Sequence, residues 1–308
     1  MNKSMELVTL STIVGWLTYS ALLSLMALGV TLLYRTTKVA NFAHASFVTV
    51  GAYVTYTLSI ALSPNPYLGV PVAFVVVGAI ALLLFYAVLE PMRRRNSSTV
   101  MLMIATLAFD IIMLGVMNIH ADFLTNVYVV PSRNVLLSGS DFKFMGQPGI
   151  LCVALGTLLL CSAALYLLLN FTTLGIALRA SMENSSLSEA IGINVSMMLA
   201  VSWFIAGGLA GIAGALIPLW TLINPNIGTV LLASIFCASI VGGLEQIYGA
   251  VLGGFLLGLV DVVGTSVLAS LVGPWVAFYE PVIPLLVLSA TLILAPKGLA
   301  GVRVRRGK

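Results

Sequence analysis

Charged residues are scarce in this sequence of 308 residues, since Asp, Glu, Lys and Arg together make up only 8% of it. A soluble globular domain averages about 25% charged residues, so that class of protein is excluded. The hydrophobic share is correspondingly high at 60%, and the mean hydropathy is +1.11. We therefore expect an integral membrane protein.

Cysteine and histidine are also rare. The three cysteines, Cys152, Cys161 and Cys237, lie in apolar stretches without the CxxC spacing of metal or redox sites, so they are interpreted as small buried hydrophobic residues. The two histidines, His44 and His120, are predicted at opposite membrane faces and cannot share a metal ion. We predict no metal site.

Motifs of catalysis are missing. The sequence contains neither GxSxG nor HExxH, and it has no phosphate-binding loop of the Walker A type. We predict no catalytic residues and no cofactor, so any ATP and Mg²⁺ must be bound by another chain. The net charge of +4 does not indicate a nucleic-acid partner, because the Lys and Arg residues flank apolar stretches, where membrane topology explains them.

Apolar runs of about 20 residues match the length that an α-helix needs to cross a bilayer. We predict an all-α, polytopic transmembrane helix bundle that forms one domain over residues 1–308. It has eight full spans if residues 230–240 form half a helix and nine crossings if they pass through the membrane. Discontinuous helices are expected near Asn224 and Gly242. The predicted spans are 10–33, 39–62, 68–89, 99–119, 149–169, 197–219, 230–240, 248–263 and 281–295.

The distribution of positive charge predicts the orientation. If residues 230–240 cross, Lys3, Arg133 and Lys143 fall on one side and the other Lys and Arg residues fall on the opposite side. Because positive residues concentrate in the cytoplasm, the C-terminus and the 172–194 loop are predicted to be cytoplasmic. The residues of the majority side are Arg35, Lys38, Arg93, Arg94, Arg95, Arg179, Lys297, Arg303, Arg305, Arg306 and Lys308.

Glycines spaced four residues apart predict close helix contacts, since small-xxx-small pairs let helix backbones approach each other in lipid. The main interpretation is tight packing within one bundle, and the alternative is that these glycines line a path. The pairs are Gly207 with Gly211, Gly249 with Gly253, and Gly254 with Gly258.

Polar residues at membrane depth are candidates for a substrate pathway, because ionisable groups there are costly and commonly functional. We select Asn41, His44, Asn224 and Asp261. The alternative is a structural role, such as a helix cap for His44 or a hydrogen bond within the bundle for Asp261. Asp110 presents the same choice between a functional and a structural carboxylate.

A polar segment at residues 171–196 interrupts the apolar pattern between two spans. Two short helices are expected around Asn184, with Ser185 or Ser188 as an N-cap and Gly192 as a stop. This segment is interpreted as a cytoplasmic docking surface, the alternative being a solvated loop. Its outward-facing residues are predicted to be Arg179, Glu183 and Glu189.

Several blocks of the sequence resemble the permease subunits of ABC importers for branched-chain amino acids, the LivH type. They cover nearly the whole chain in the order of that family. The matching residues are Asn41-Phe42-Ala43-His44, Gly51-Ala52-Tyr53-Val54, Leu174-Gly175, Arg179-Ala180, Glu183, Gly192-Ile193-Asn194, Ile223-Asn224-Pro225-Asn226-Ile227-Gly228, Val241-Gly242-Gly243, Gly249-Ala250, Gly253-Gly254, Gly258 and Ala295-Pro296-Lys297-Gly298-Leu299.

The resemblance implies that residues 171–196 couple transport to ATP hydrolysis by fitting into a cleft on an ATPase subunit. It carries this role over to Glu183, Glu189, Ala190 and Gly192, beside Arg179. The implied partners are a second homologous permease, two cytoplasmic ATPases, membrane lipid and an extracytoplasmic solute-binding protein, which would meet residues 120–147. The implied location is the cell membrane of a bacterium or an archaeon.

Two departures from the family pattern concern the substrate. Ala45-Ser46 stand where the family has Gly and an acidic residue, and residues 244–248 replace a Gly/Ser-rich linker. The resemblance implies import of branched-chain amino acids, although relatives also carry other amino acids, urea and short amides. The alternative function is an ion-coupled secondary transporter or channel that uses Asp110 or Asp261.

Overall fold

The fold is all-α apart from one small hairpin, as expected from the sequence. We describe it from a computed structural model that covers residues 10–62, 65–295 and 298–299, with residues 277 and 278 described by their backbone alone. The α-helices of these residues are α1 Leu10–Thr37, α2 His44–Ala61, α3 Gly69–Leu84, α4 Glu90–Arg94, α5 Thr99–Val127, α6 Gly149–Phe171, α7 Thr173–Glu183, α8 Ser185–Ala190, α9 Val195–Trp220, α10 Ile227–Gly242, α11 Gly249–Gly258, α12 Thr265–Val272 and α13 Val282–Leu294.

Six helical stretches within the described residues are long and apolar enough to cross a membrane. The others, α2, α10 and α13, are shorter or more polar, so the predicted count of eight or nine crossings is not confirmed. The six stretches are Leu10–Thr37, Pro66–Arg94, Thr99–Val127, Gly149–Phe171, Val195–Trp220 and Gly249–Val272. The chain is therefore a multi-pass membrane protein.

Helices α1 and α9 form the centre of the bundle. The most apolar part of α1 is 78% buried and that of α9 is 83% buried, whereas those of α5 and α6 are only 28% and 22% buried. Helix α9 packs against α1, α2 and α3, and α1 packs also against α10 and α11. Helix α2 is buried along most of its length and carries several polar residues into this centre.

The predicted glycines lie where neighbouring helices approach closely. A Cβ at Gly207 would meet the Ala81 side chain of α3 at 2.5 Å, and one at Gly211 would meet the Ala73 carbonyl at 2.6 Å. On the other side of the bundle, a Cβ at Gly254 would meet Ser24 of α1. The interfaces that these residues occupy leave no room for a larger side chain.

The remaining predicted glycines lie in the contacts around α11. Gly258 faces Ser20 of α1, Gly253 faces the Ala238 carbonyl of α10, and the Gly249 carbonyl lies against Gly242. Helices α10 and α11 thus form a tight hairpin. The chain breaks there as expected, since α10 ends at Gly242 and Gly243 adopts a φ of +105°, which favours glycine.

Two π-helical turns interrupt the membrane helices, at Phe85–Leu89 and Leu259–Gly264. Neither was predicted, because hydropathy does not distinguish a π turn from an α turn. Such turns widen a helix locally and frequently occur at functional sites. The second turn contains Asp261.

The predicted loop at residues 120–147 begins later than expected, because α5 continues to Val127. His120 is therefore a helical residue, and its Nε2 lies 2.9 Å from Thr57 Oγ1. The connection that follows is tied to the bundle: the Tyr53 hydroxyl donates to the Ser132 carbonyl at 2.6 Å, and Val135 pairs with Ile223.

A short β-hairpin ends this connection before α6. Strands β1 Lys143–Phe144 and β2 Gln147–Pro148 pair antiparallel, and both turn residues, Met145 and Gly146, have positive φ, as a two-residue hairpin turn requires. Met145 is 88% exposed at the tip. The hairpin thus presents an apolar tip away from the bundle.

Candidate functional site

Each helix of the 171–196 segment begins at a polar cap. The Thr172 side chain accepts from the Gly175 N–H at 3.0 Å to start α7, and Asn184 accepts from the Leu187 N–H at 2.9 Å to start α8. The predicted caps Ser185 and Ser188 are wrong, because Asn184 has the extended backbone that an N-cap needs and both serines are already helical.

Glycine ends α8 as predicted. Gly192 has a φ of +89°, its N–H donates to the Glu189 carbonyl at 3.0 Å, and the Ile193 N–H donates to the Ser188 carbonyl at 2.9 Å. This pair of hydrogen bonds is a Schellman motif, which favours glycine at the left-handed position. Asn194 then caps α9 through the Met197 N–H. The segment is therefore an ordered helix-turn-helix.

The inner face of α7 holds the segment against the bundle. Leu178 is buried, and Gly175 approaches α6 so closely that a Cβ there would lie 2.0 Å from the Leu168 carbonyl. Arg179 is only partly exposed, and its Nη1 donates to Asn170 at 3.4 Å, so it does not point outward as predicted. The Arg179 side chain instead points toward the bundle, where its guanidinium group contacts the end of α6.

The outer face of α8 combines acidic and apolar residues. Glu189 and Ala190 are exposed on α8, and so are Glu183 at the end of α7 and Gly192 just after α8. Leu187 and Ile191, one helical turn apart, are 60% and 69% exposed.

A groove of about 540 Å³ separates the end of α8 from α4, and its lining includes Glu189, Gly192, Arg93 and Arg94. Both arginines pair with the buried Glu90 carboxylate, with N–O distances of 2.8 Å each. Glu189 and Arg93 are close enough to interact electrostatically. The groove and α8 together form a surface of mixed charge.

At the opposite end of α9, a cavity of about 300 Å³ lies between α1, α9, α10 and the second π turn. Its polar lining comes from Tyr19, Thr221, Ser234, Asp261 and Glu280, and the rest of its lining is largely apolar. Asp261 is 1% exposed, and its Oδ1 has no hydrogen-bond partner among the described residues. Glu280 lies outside the long spans, and partial burial of its carboxyl group raises its pKa.

His44 lies just behind this cavity. Its ring is fully buried, and Nε2 donates to the carbonyl of Met26, a residue of the cavity wall, at 3.0 Å. Gly29 makes room for the ring, since a Cβ at that position would come within 2.8 Å of His44 Cε1. Nδ1 is buried without a partner among the described residues.

Asn41 and Asn224 do not line the cavity. Asn41 is buried, and its Oδ1 accepts from the Ala43 N–H at 3.1 Å. Asn224 is partly exposed, and its Oδ1 accepts from the Asn226 N–H at 2.9 Å in the turn before α10. Of the four predicted pathway residues, only Asp261 lines the cavity, and both asparagines shape turns.

Asp110 makes hydrogen bonds within the bundle, as the structural alternative expects. Its Oδ1 accepts from the Ser46 N–H at 3.1 Å and from the Ser46 hydroxyl, in the first turn of α2. One turn earlier in α5, the Thr106 hydroxyl accepts from the Phe42 N–H at 3.1 Å. Helix α5 therefore anchors the start of α2.

Comparison with known proteins shows the family of this chain. Residues 12–296 match the family model described as "Branched-chain amino acid transport system / permease component". The chain belongs to this permease family. The permease is 46% identical over 288 residues to a probable branched-chain amino acid transport permease protein LivH of Methanocaldococcus jannaschii, which covers 94% of this chain and 91% of that protein.

Two more distant relatives are named for the transport of different substrates. The permease is 26% identical over 296 residues to a high-affinity branched-chain amino acid transport permease of Escherichia coli, with 90% and 91% of the two chains covered. It is also 26% identical over 245 residues to a tyrosine transport system permease of Clostridioides difficile, with 76% and 74% covered. No solved structure matches.

Three residues of the permease that shape the cavity were not predicted. Tyr19, Ser234 and Glu280 come from α1, α10 and the turn before α13, so no local pattern links them to Asp261. The only signal was polarity: a tyrosine and a serine lie within predicted apolar spans, and an acidic residue precedes the last one.

Proposed function

We propose that this permease is the membrane subunit of an ABC importer and carries branched-chain or related amino acids. An extracytoplasmic solute-binding protein would deliver them, and two cytoplasmic ATPase subunits, which bind ATP and Mg²⁺, would drive import beside a second homologous permease. The permease itself would be one domain over residues 1–308 with no enzymatic activity and no cofactor.

The observation that carries this proposal is the build of the 171–196 segment. A solvated loop needs neither a polar cap at the start of α7, α8 and α9 nor a Schellman motif at the end of α8, and these features fix where each helix begins and ends. Leu187 and Ile191 expose apolar surface beside Glu183 and Glu189 on that rigid support. An apolar centre with a charged rim is the composition of a protein–protein interface.

The clustering of positive residues supports a cytoplasmic position for this segment. Lys38 pairs with Glu245 at 3.3 Å, and Arg35 and Arg179 both lie near Tyr248, so these loops share one end of the bundle with the segment. Lys297, Arg303, Arg305, Arg306 and Lys308 of the predicted cytoplasmic set, and Lys3 of the opposite set, lie outside the described residues. The described positive residues favour a cytoplasmic segment and, with it, a cytoplasmic C-terminus.

The opposite end of the bundle would face the binding protein. Arg133 pairs with Asp122 there at 2.8 Å, and the Leu137 N–H donates to the Pro218 carbonyl at the end of α9. The hairpin tip at Met145 projects from the same connection. In this orientation the cavity with Asp261 lies in the outer half of the membrane, where a pathway would begin, and His44 and Asn41 lie beyond it.

The coupling role is tested by replacing Glu183 with Ala together with Gly192→Arg. A side chain at a φ of +89° strains the Schellman turn by about 1–2 kcal/mol, and the arginine adds bulk at the docking surface. We expect ATP-dependent uptake of leucine to be lost, while the variant reaches the membrane in normal amount.

The matched control is Glu245→Ala, an exposed glutamate near the same end of the bundle. An exposed ion pair contributes little, so this variant should keep its uptake. Wild-type uptake by the double variant would refute the coupling role. Ion-driven uptake by the purified permease alone would instead favour a secondary transporter.

A further inference from the structure

We propose that the cavity formed by Tyr19, Ser234, Asp261 and Glu280 is a binding site for the ammonium group of the amino acid in transit. This inference rests on the proposed function, because it assigns a site within the permease to the same substrate. It concerns recognition by the permease itself, separate from recognition by the binding protein.

Asp261 is a buried acidic residue in the lining of this cavity. A buried carboxylate is stable only when hydrogen bonds or a cation satisfy its oxygens. The Tyr19 hydroxyl lies next to Asp261 and to Ser234, but Oδ1 has no hydrogen-bond partner within the described residues and is buried at the cavity wall. Asp261 therefore holds one unused acceptor at the cavity wall.

The described lining of the cavity carries negative charge without any positive side chain. Asp261 and Glu280 are acidic, and the described lining contains no Lys, Arg or His. The two carboxylates interact unfavourably with each other, and a cation between them would relieve that repulsion. The rings of Tyr19 and Trp220 in the wall suit a cation as well.

The number of oxygen ligands in the cavity suits an organic ammonium group better than a metal ion such as Ca²⁺. The described residues contain no group of three or more His, Cys, Asp or Glu side chains that could hold a metal ion. Ca²⁺ takes six to eight oxygen ligands, whereas an ammonium group needs about three acceptors. The Asp261 and Glu280 carboxylates with the Ser234 hydroxyl can supply that smaller number.

Part of the cavity wall is apolar. Leu22, Ile217 and Leu231 line the same cavity, whose volume of about 300 Å³ lies at the lower end of the range for small-molecule sites. An aliphatic side chain can contact this wall while its ammonium group meets the acidic end. The cavity thus matches the two chemical parts of a branched-chain amino acid.

The test measures the charge of the cavity directly by thiol labelling. Val230 lines the cavity and is 60% exposed, so Val230→Cys places a thiol at its mouth once Cys152, Cys161 and Cys237 are replaced by Ala. Membrane vesicles that carry the whole importer are treated with a cationic or an anionic methanethiosulfonate reagent. We expect the cationic reagent to react roughly tenfold faster because it is attracted to the two carboxylates.

Charge-removing variants assign that preference to the two acids. Asp261→Asn with Glu280→Gln should bring the ratio of the two rates close to one, whereas the control Glu245→Gln should leave it unchanged. If the double variant does not reach the membrane, Glu280→Gln alone should still lower the ratio. Equal rates in the cysteine variant that keeps both acids would overturn the proposal.

Protection by ligands identifies the ammonium group. Leucine should slow the labelling of the Val230→Cys variant, and 4-methylpentanoate, which has the same skeleton without the amino group, should not. Equal protection by both compounds, or protection by sodium ions in place of leucine, would overturn the assignment.

ATP-dependent leucine uptake is measured in the same vesicles with the binding protein added. If the vesicles take up leucine but the two reagents label Val230→Cys at equal rates and leucine does not slow the labelling, the binding site is rejected and the proposed function stands. Protection without ATP-dependent uptake would retain the site and reject the importer.

Discussion

Replacing Asp110 with Ala removes the carboxylate that joins α5 to the first turn of α2. The Ser46 N–H and the Ser46 hydroxyl both donate to Asp110 Oδ1, and all these groups are buried. The N–H groups of a helix's first turn have no acceptor within the helix, so this carboxylate acts as an N-cap supplied by another helix.

The expected cost follows from those contacts. Loss of an N-cap costs about 1 kcal/mol, and a buried donor left without an acceptor costs about 1–3 kcal/mol. We therefore expect Asp110→Ala to destabilise the permease by about 2–4 kcal/mol. Asp110→Asn keeps an acceptor oxygen and should cost roughly 1 kcal/mol, the value of weakening a hydrogen bond to a charged group.

The assay measures the thermal unfolding of the solubilised permease and the uptake of leucine by each variant. The structural role predicts that stability falls in the order wild type, Asn, Ala, and that the Asn variant still transports. Stable Asn protein without any transport would refute this reasoning, because it would show that the charge of Asp110 takes part in transport itself.

Two further substitutions test contacts inside the bundle. Gly29→Ala should lower stability by about 1–3 kcal/mol through overpacking, since its Cβ would lie 2.8 Å from His44 Cε1 and 2.9 Å from the Ala206 carbonyl. Thermal unfolding measures this loss, and an unchanged midpoint would contradict the packing around His44. Tyr53→Phe removes the hydrogen bond to the Ser132 carbonyl and should cost about 1 kcal/mol. Limited proteolysis should then cleave residues 128–148 faster than in wild type, and equal rates would show that this bond does not hold the connection.

Hydropathy predicts where the helices lie because each membrane segment must bury its own backbone polar groups. The end of α10 at Gly242 and the position of α6 agree with the expected break and span. The extension of α5 to Val127 was missed because residues 120–127 mix polar and apolar side chains, which hydropathy assigns to a loop.

The candidate site was predicted only in part, because some of its contacts join residues that are far apart in the sequence. Gly192 was identified as a helix stop because its signal is local. The cap at Asn184 was missed although it is local too, since three serines in and after the same turn compete for that role. The cavity brings Tyr19 together with Asp261 and Glu280. These residues are distant in the sequence, and only the packing of the helices places them side by side.

The central claim is that this permease works within an importer driven by separate ATPases. The most direct test isolates the tagged permease from its native membrane under mild solubilisation and identifies the proteins that accompany it by mass spectrometry. Our account predicts two ATPase subunits and a second homologous permease in the purified complex. A permease that purifies alone, and in liposomes moves solute down an ion gradient, would contradict it.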